Sequence, residues 1–294
     1  MSFREKWLDA VERKGSVLCA GLDPAEFEIG RGEKGLPKGV KKLEWSVKYI
    51  HAVAPYCSAI KPNINYWKDT IDNASLEIIY GIAKDEGLVV IEDAKLADIG
   101  STNDAGILSA SKRTDAVTIA PYAGNMEGTN NLCKRQGVEA ITMGLMSNPE
   151  YEREKNMLVR VVQDEEEEYE RDLITSSADR FLYVKRYIQL AHDANKFGLS
   201  GIVVGAPSED NHIIDKELAD VRRYVSGNML VLSAGVGEQG GEAEALFRYF
   251  NRNNVIVNVG RSLMFPNGSN SSPKEQAETA EFYMDMLNEL RAAD

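Results

Sequence analysis

Apolar residues in this chain gather into eight short runs, at residues 17–22, 57–61, 88–93, 116–121, 140–145, 201–205, 229–233 and 255–259. Most of the runs are continuous rather than alternating. A strand with one face in water alternates apolar and polar residues, whereas a strand covered on both faces need not. The runs therefore predict parallel strands inside a two-layered fold. Between them lie stretches with the 3.6-residue period of an amphipathic helix, as at 43–54, 75–86, 180–197 and 242–251, and 277–291 reads as a closing helix. The opening MSFREKWLDAVERKG has the same period and reads as a helix, not a signal peptide. Eight strand–helix repeats predict an α/β fold of the (β/α)8 TIM-barrel type. The competing open sheet would place GxGxxG after its first strand, and no such motif is present.

One stretch breaks the rhythm. Residues 147–179 form a long, charged connection after the fifth strand, with five consecutive acids at 164–168. It reads either as a solvated helix or loop, or as a cover over the barrel mouth, since long loops in compact domains are often functional. At 294 residues the chain fits one such barrel, so residues 1–294 are expected to form a single domain carrying this insertion.

Composition narrows the function. Lys and Arg number 34 and Asp and Glu 46, a net charge of −12. Such a surface repels nucleic acid, although a few local cations can still hold a small anion. No apolar run has membrane-spanning length, so no membrane partner is expected. The odd set Cys19, Cys57 and Cys133 suits reduced residues of a cytoplasmic protein rather than a disulfide framework. His51, His192 and His212 lie far apart and HExxH is absent, so neither a metal site nor a cofactor is expected.

Function on this fold sits at the C-terminal ends of strands. Those ends carry Asp23 (GLDP), Lys61 (AIKPN), Asp93, Lys95, Asp98 and Thr102 (EDAKLADIGST), Ser147 (GLMSNP), Gln239 (SAGVGEQGG) and Arg261 (VNVGRS). Asp93 and Lys95, two apart on a strand, are expected to point to one side. Two lysines and two carboxylates at a barrel mouth are costly to desolvate unless they pair, and a plain ion-pair network closing the barrel end is the bland alternative. Gly240, Gly241 and Gly260 allow close backbone approach, and Arg261 suits paired hydrogen bonds to phosphate. Phosphate sites after the last two strands recur on this fold.

The run EDAKLADIGST resembles the Asp-x-Lys-x-x-Asp-Ile-x-x-Thr signature of the orotidine 5'-phosphate decarboxylases, through Asp93, Lys95, Asp98, Ile99 and Thr102. The resemblance implies a cofactor-free decarboxylation of orotidine 5'-phosphate to UMP, the last step of de novo pyrimidine synthesis. It implies that Lys95 protonates carbon 6 and that Asp93 faces the substrate carboxylate. Lys61 would complete the charged network and touch the ribose, and Asp23 would bind a ribose hydroxyl. Ser147 would bond the pyrimidine, while Gln239 and Arg261 would hold the phosphate. It further implies a homodimer in which Asp98 and Thr102 reach the other subunit's site. The long segment from residue 150 to 179 departs from minimal members of the family. The chemistry suits such a set: the carbanion left by carbon dioxide lies in the ring plane, so a fixed ammonium must both stabilise and protonate it. Two other readings are a magnesium-dependent sugar-phosphate lyase of the same barrel superfamily and a non-catalytic nucleotide-binding barrel.

Overall fold

The computed structural model describes residues 1–68, 73–176, 181–236 and 242–293. In chain order its strands are β1 (Leu18–Leu22), β2 (Ala59–Pro62), β3 (Val89–Leu96), β4 (Ala116–Ile119), β5 (Glu139–Leu145), β6 (Leu158–Arg160), β7 (Thr175–Ser176), β8 (Leu182–Lys185), β9 (Gly201–Val204), β10 (Leu230–Ala234) and β11 (Val255–Val259). All except β6, β7 and β8 close into one parallel barrel, in the order β1-β2-β3-β4-β5-β9-β10-β11, with β11 pairing back onto β1. All eight apolar runs thus became barrel strands. Their continuity has a direct cause: every residue of β1, β4 and β11 is buried, between a packed barrel interior and an outer ring of helices.

The helix Phe3–Lys14 crosses the N-terminal end of the barrel. A Ser2–Glu5 capping box starts it and Gly15, in the left-handed conformation, ends it. Its fully buried Trp7 donates from Nε1 to the Asn253 carbonyl at 2.8 Å, just before β11. Burying one large apolar side chain contributes about 1.5–3 kcal/mol, so this end of the barrel is sealed for stability. The closing helix runs from Pro273 to Ala292, one turn earlier than its apolar period suggests, because Ser272 and Glu275 form a second capping box. Among the described residues no helix is long and apolar enough to cross a membrane.

The segment after β5 folds as an excursion: a short helix Tyr151–Lys155, then an antiparallel sheet in the order β6-β8-β7. The expected helix over 180–197 is corrected here. Residue 180 lies outside the described residues, 182–185 are strand β8, and the helix starts only at Arg186. Leu182–Lys185 are drawn out of the helix by pairing with residues 158–160 and 175–176, a long-range contact that local periodicity does not register.

The acidic part docks on the barrel wall. His192, in the helix Arg186–Lys196, stacks on Tyr169 with ring centroids 4.2 Å apart and bonds Glu168 at 2.9 Å through Nε2. Arg223, which follows the helix Asp215–Arg222, pairs with Asp172 at 2.7 Å. Both helices run from the mouth toward the far end of the barrel, so these contacts hold residues 165–172 against its lower flank. Tyr169 and Leu173 are buried in this contact, so the described part of the segment is packed on the wall rather than free in solvent.

Candidate active site

The C-terminal ends of β1, β2, β3, β10 and β11 surround a cavity of about 220 Å3, lined by Asp23, Lys61, Asn63, Asp93, Lys95, Asn258 and Arg261 among others. Asp93 is its electrostatic centre. The buried Lys61 ammonium donates to Asp93 Oδ2 at 2.5 Å. Lys95 Nζ donates to Oδ1, also at 2.5 Å, and the Thr118 hydroxyl donates to the same oxygen at 3.1 Å. One carboxylate is thus shared by two ammonium groups from neighbouring strands. The two lysines differ in setting: the Lys61 side chain is 8% exposed, whereas that of Lys95 is 44% exposed and stands in the open mouth.

The backbone does not bring Asp93 and Lys95 together by simple alternation. Pairing of β3 with β4 shifts register between Glu92 and Leu96, and Lys95 takes φ +47°. A non-glycine residue in that region costs about 1–3 kcal/mol unless its surroundings hold it there. Thr118 on β4 supplies the hold: its Oγ1 accepts from Ala94 N at 3.1 Å and Lys95 N at 2.9 Å. A second constraint lies across the mouth. A Cβ on Gly21 would stand 2.9 Å from the Gly260 backbone, so glycine lets β1 and the turn after β11 close on each other.

Burial opposes the Asp93 charge, but Lys61 and Lys95 outweigh it and hold the carboxyl well below the usual carboxylate range. Burial likewise works against the Lys61 ammonium, and the Asp93 and Asp23 carboxylates more than offset it, raising its pKa. For Asp23 burial dominates and raises its pKa, with Lys61 only partly offsetting it. Among the described residues, Asp23 Oδ1 and Asn258 Oδ1 are buried without a hydrogen-bond partner. A buried acceptor left unsatisfied costs about 1–3 kcal/mol, and two acceptors of this kind line the cavity, where a ligand hydroxyl or amide could donate to them.

The expected site residues divide. Asp23, Lys61, Asp93, Lys95, Gly260 and Arg261 meet around the cavity. Ser147 stands just beyond β5, beside Gly205, and β5 occupies the barrel position diametrically opposite β1. Asp98, Ile99 and Thr102 are exposed, Ile99 to 65%, and are not among the residues lining this cavity. The Asp98 carboxylate accepts from Ile99 N at 2.8 Å, and its carbonyl accepts from Asn125. Gln239, Gly240 and Gly241 lie outside the described residues. Thr118, Asn63 and Asn258 were not singled out by sequence. For Thr118 and Asn258 a signal existed, a lone polar residue inside an apolar strand.

A model of the Orotidine 5'-phosphate decarboxylase / HUMPS family matches residues 16–279. The chain belongs to this family. An orotidine 5'-phosphate decarboxylase of Cupriavidus taiwanensis is 30% identical over 280 residues, covering 90% of each chain. That of Bordetella avium is 27% identical and covers 99% of this chain and 100% of its own. Among solved structures, Leishmania donovani OMP decarboxylase superposes with a TM-score of 0.72 at 22% identity, covering both chains fully. Orotidine 5'-monophosphate decarboxylase of Methanocaldococcus jannaschii, complexed with the inhibitor BMP, gives a TM-score of 0.63 at 21% identity over 92% of this chain and 98% of that one. The family match runs from β1 into the closing helix, so the insertion lies within it.

Proposed function

We infer that this chain decarboxylates orotidine 5'-phosphate to UMP in pyrimidine biosynthesis. The observation that carries this reading is the Asp93 carboxylate clamped between the ammonium groups of Lys61 and Lys95, at the edge of a cavity that also presents Arg261. Loss of carbon dioxide leaves an electron pair on carbon 6. The Lys95 ammonium, tethered yet open to the mouth, stabilises that charge and delivers a proton to carbon 6. Asp93 fixes both ammonium positions before substrate arrives, so little reorganisation is left for the transition state. Asp23 and Lys61 serve the ribose, Ser147 the pyrimidine, and Arg261 with Gln239 the phosphate, whose remote binding energy is used at the reacting carbon.

The exposed position of Asp98, Ile99 and Thr102, outside their own chain's cavity, supports a homodimer in which these residues complete the partner's site. Cys19, Cys57 and Cys133, all buried and unpaired, support a reducing, cytoplasmic setting. The family's description joins the decarboxylases to HUMPS, so membership alone does not choose between decarboxylation and a magnesium-dependent sugar-phosphate reaction. The donor chemistry favours decarboxylation: both Asp93 oxygens are engaged by ammonium groups, which would repel a divalent cation there.

Mixing metal-free protein with orotidine 5'-phosphate should produce the ultraviolet absorbance decrease of decarboxylation, unaffected by exhaustive chelation. Orotidine lacking its phosphate should react far more slowly. A strict magnesium requirement, or no turnover at all, overturns the reading.

A further inference from the structure

We propose that the short helix Tyr151–Lys155, the first element of the insertion, positions Ser147 for the base end of the substrate. The inference rests on the nucleotide reading of the mouth. It assigns the beginning of the insertion a part in recognition that its docking on the outer wall does not suggest.

Ser147 is clamped on both sides. Upstream, the pairing of β5 with β9 slips by one residue between Met143 and Leu145, which leaves Gly144 as a bulge. Only glycine fits there, since a Cβ would stand 2.6 Å from the Ile202 side chain and 2.9 Å from the Val203 carbonyl. The buried Tyr151 hydroxyl donates to the Gly144 carbonyl at 2.5 Å. A bulge re-aims the chain that follows it, and here that chain reaches Ser147 within three residues.

Downstream, the Asn148 carbonyl accepts from His212 Nε2 at 3.0 Å. His212 is in turn held by Lys155, whose Nζ donates to the His212 carbonyl at 2.5 Å. The same ammonium forms a buried pair with Glu217, 2.6 Å from Oε1. Removing one member of a buried ion pair strands the other charge, so this anchor is costly to break. Tyr151 and Lys155 lie four residues apart on the one helix and secure the two flanks of Ser147. They are positioning residues, acting through backbone that carries the side chain.

Binding of UMP and of ribose 5-phosphate to the full chain, measured by calorimetry, separates this role from general stability. Tyr151→Phe, which removes one oxygen, and Lys155→Met should each weaken UMP roughly tenfold, about 1.4 kcal/mol. Neither should change the affinity for ribose 5-phosphate, which lacks the base. In a Ser147→Ala background the loss should nearly vanish, because residues acting through one group are not additive. Equal weakening of both ligands, unchanged UMP binding, or additivity with Ser147→Ala would each overturn the proposal. Should Lys155→Met fail to fold, Tyr151→Phe alone carries the test. Absence of UMP binding by the wild-type chain would sink the nucleotide reading itself, whereas wild-type binding with indifferent variants sinks only the positioning role.

Discussion

Replacing Thr118 with valine keeps the shape of a side chain that is 1% exposed and deletes three hydrogen bonds at once. Two are backbone donors, from Ala94 and Lys95, and the third is donated to the Asp93 carboxylate. At about 0.5–1.5 kcal/mol for each neutral bond and 1.5–3 for the charged one, the loss is about 3–6 kcal/mol in a sealed core. Ala94 is half-buried and Lys95 exposed, so mouth water can reach part of this backbone and the expected cost falls to about 2–4 kcal/mol. In a chain of this size that corresponds to a Tm lower by about 4–8 °C. Turnover should suffer beyond stability. Without Thr118, the left-handed turn at Lys95 loses the acceptor that holds it, and the ammonium is no longer fixed at Asp93. A 10- to 100-fold fall in kcat, about 1.4–2.7 kcal/mol, is expected with KM little changed, since Thr118 donates to the network rather than to the ligand. Thr118→Ser, which retains the hydroxyl, should recover most of both losses. The assays are thermal unfolding and steady-state turnover of orotidine 5'-phosphate. Wild-type kcat in the valine variant, or a serine variant as damaged as the valine one, would refute the reasoning.

Asp23→Asn should raise the Tm of the ligand-free protein at neutral pH while weakening UMP binding, since burial makes the Asp23 charge unfavourable in the fold. The sign follows from linkage: an acid whose folded pKa is raised destabilises at pH above that pKa, so the variant's advantage is greatest above the folded pKa, shrinks as pH falls through it and closes below about pH 3.9, where the unfolded group also protonates. An Asp23→Asn chain less stable than wild type at pH 7 would contradict this. For the shared site, mixing inactive Lys95→Ala and Asp98→Ala chains should restore activity, because a heterodimer would hold one doubly damaged and one intact site. Demonstrated subunit exchange with no recovery would show that Asp98 serves its own chain.

Hydrophobic patterning pointed to the barrel, because strands buried on both faces are apolar along most of their length and eight such runs separated by helical stretches admit few other closures. It also determined which strand ends carry charge, since Asp23, Lys61, Asp93, Lys95 and Arg261 each sit at the end of a readable strand or within two residues of it. What it left open were the relations between strands. That Asp93, rather than Asp98, joins the two lysines follows from β2 and β3 being neighbours in register, with Asn63 bridging Asp93. That Thr118 holds Lys95 follows from a register slip between β3 and β4, and a slip is a property of a pair of strands rather than of either one. The same holds for the insertion: residues 182–185 carry a helical period, yet pairing with residues 158–160 makes them a strand. Its acidic run reads as solvated surface, and only the packing of Tyr169 and Glu168 against His192 decides that it lies on the wall. Local periodicity records which face of an element is buried. Which partner buries it is fixed by contacts between residues far apart in the chain, and those exist only in the folded molecule.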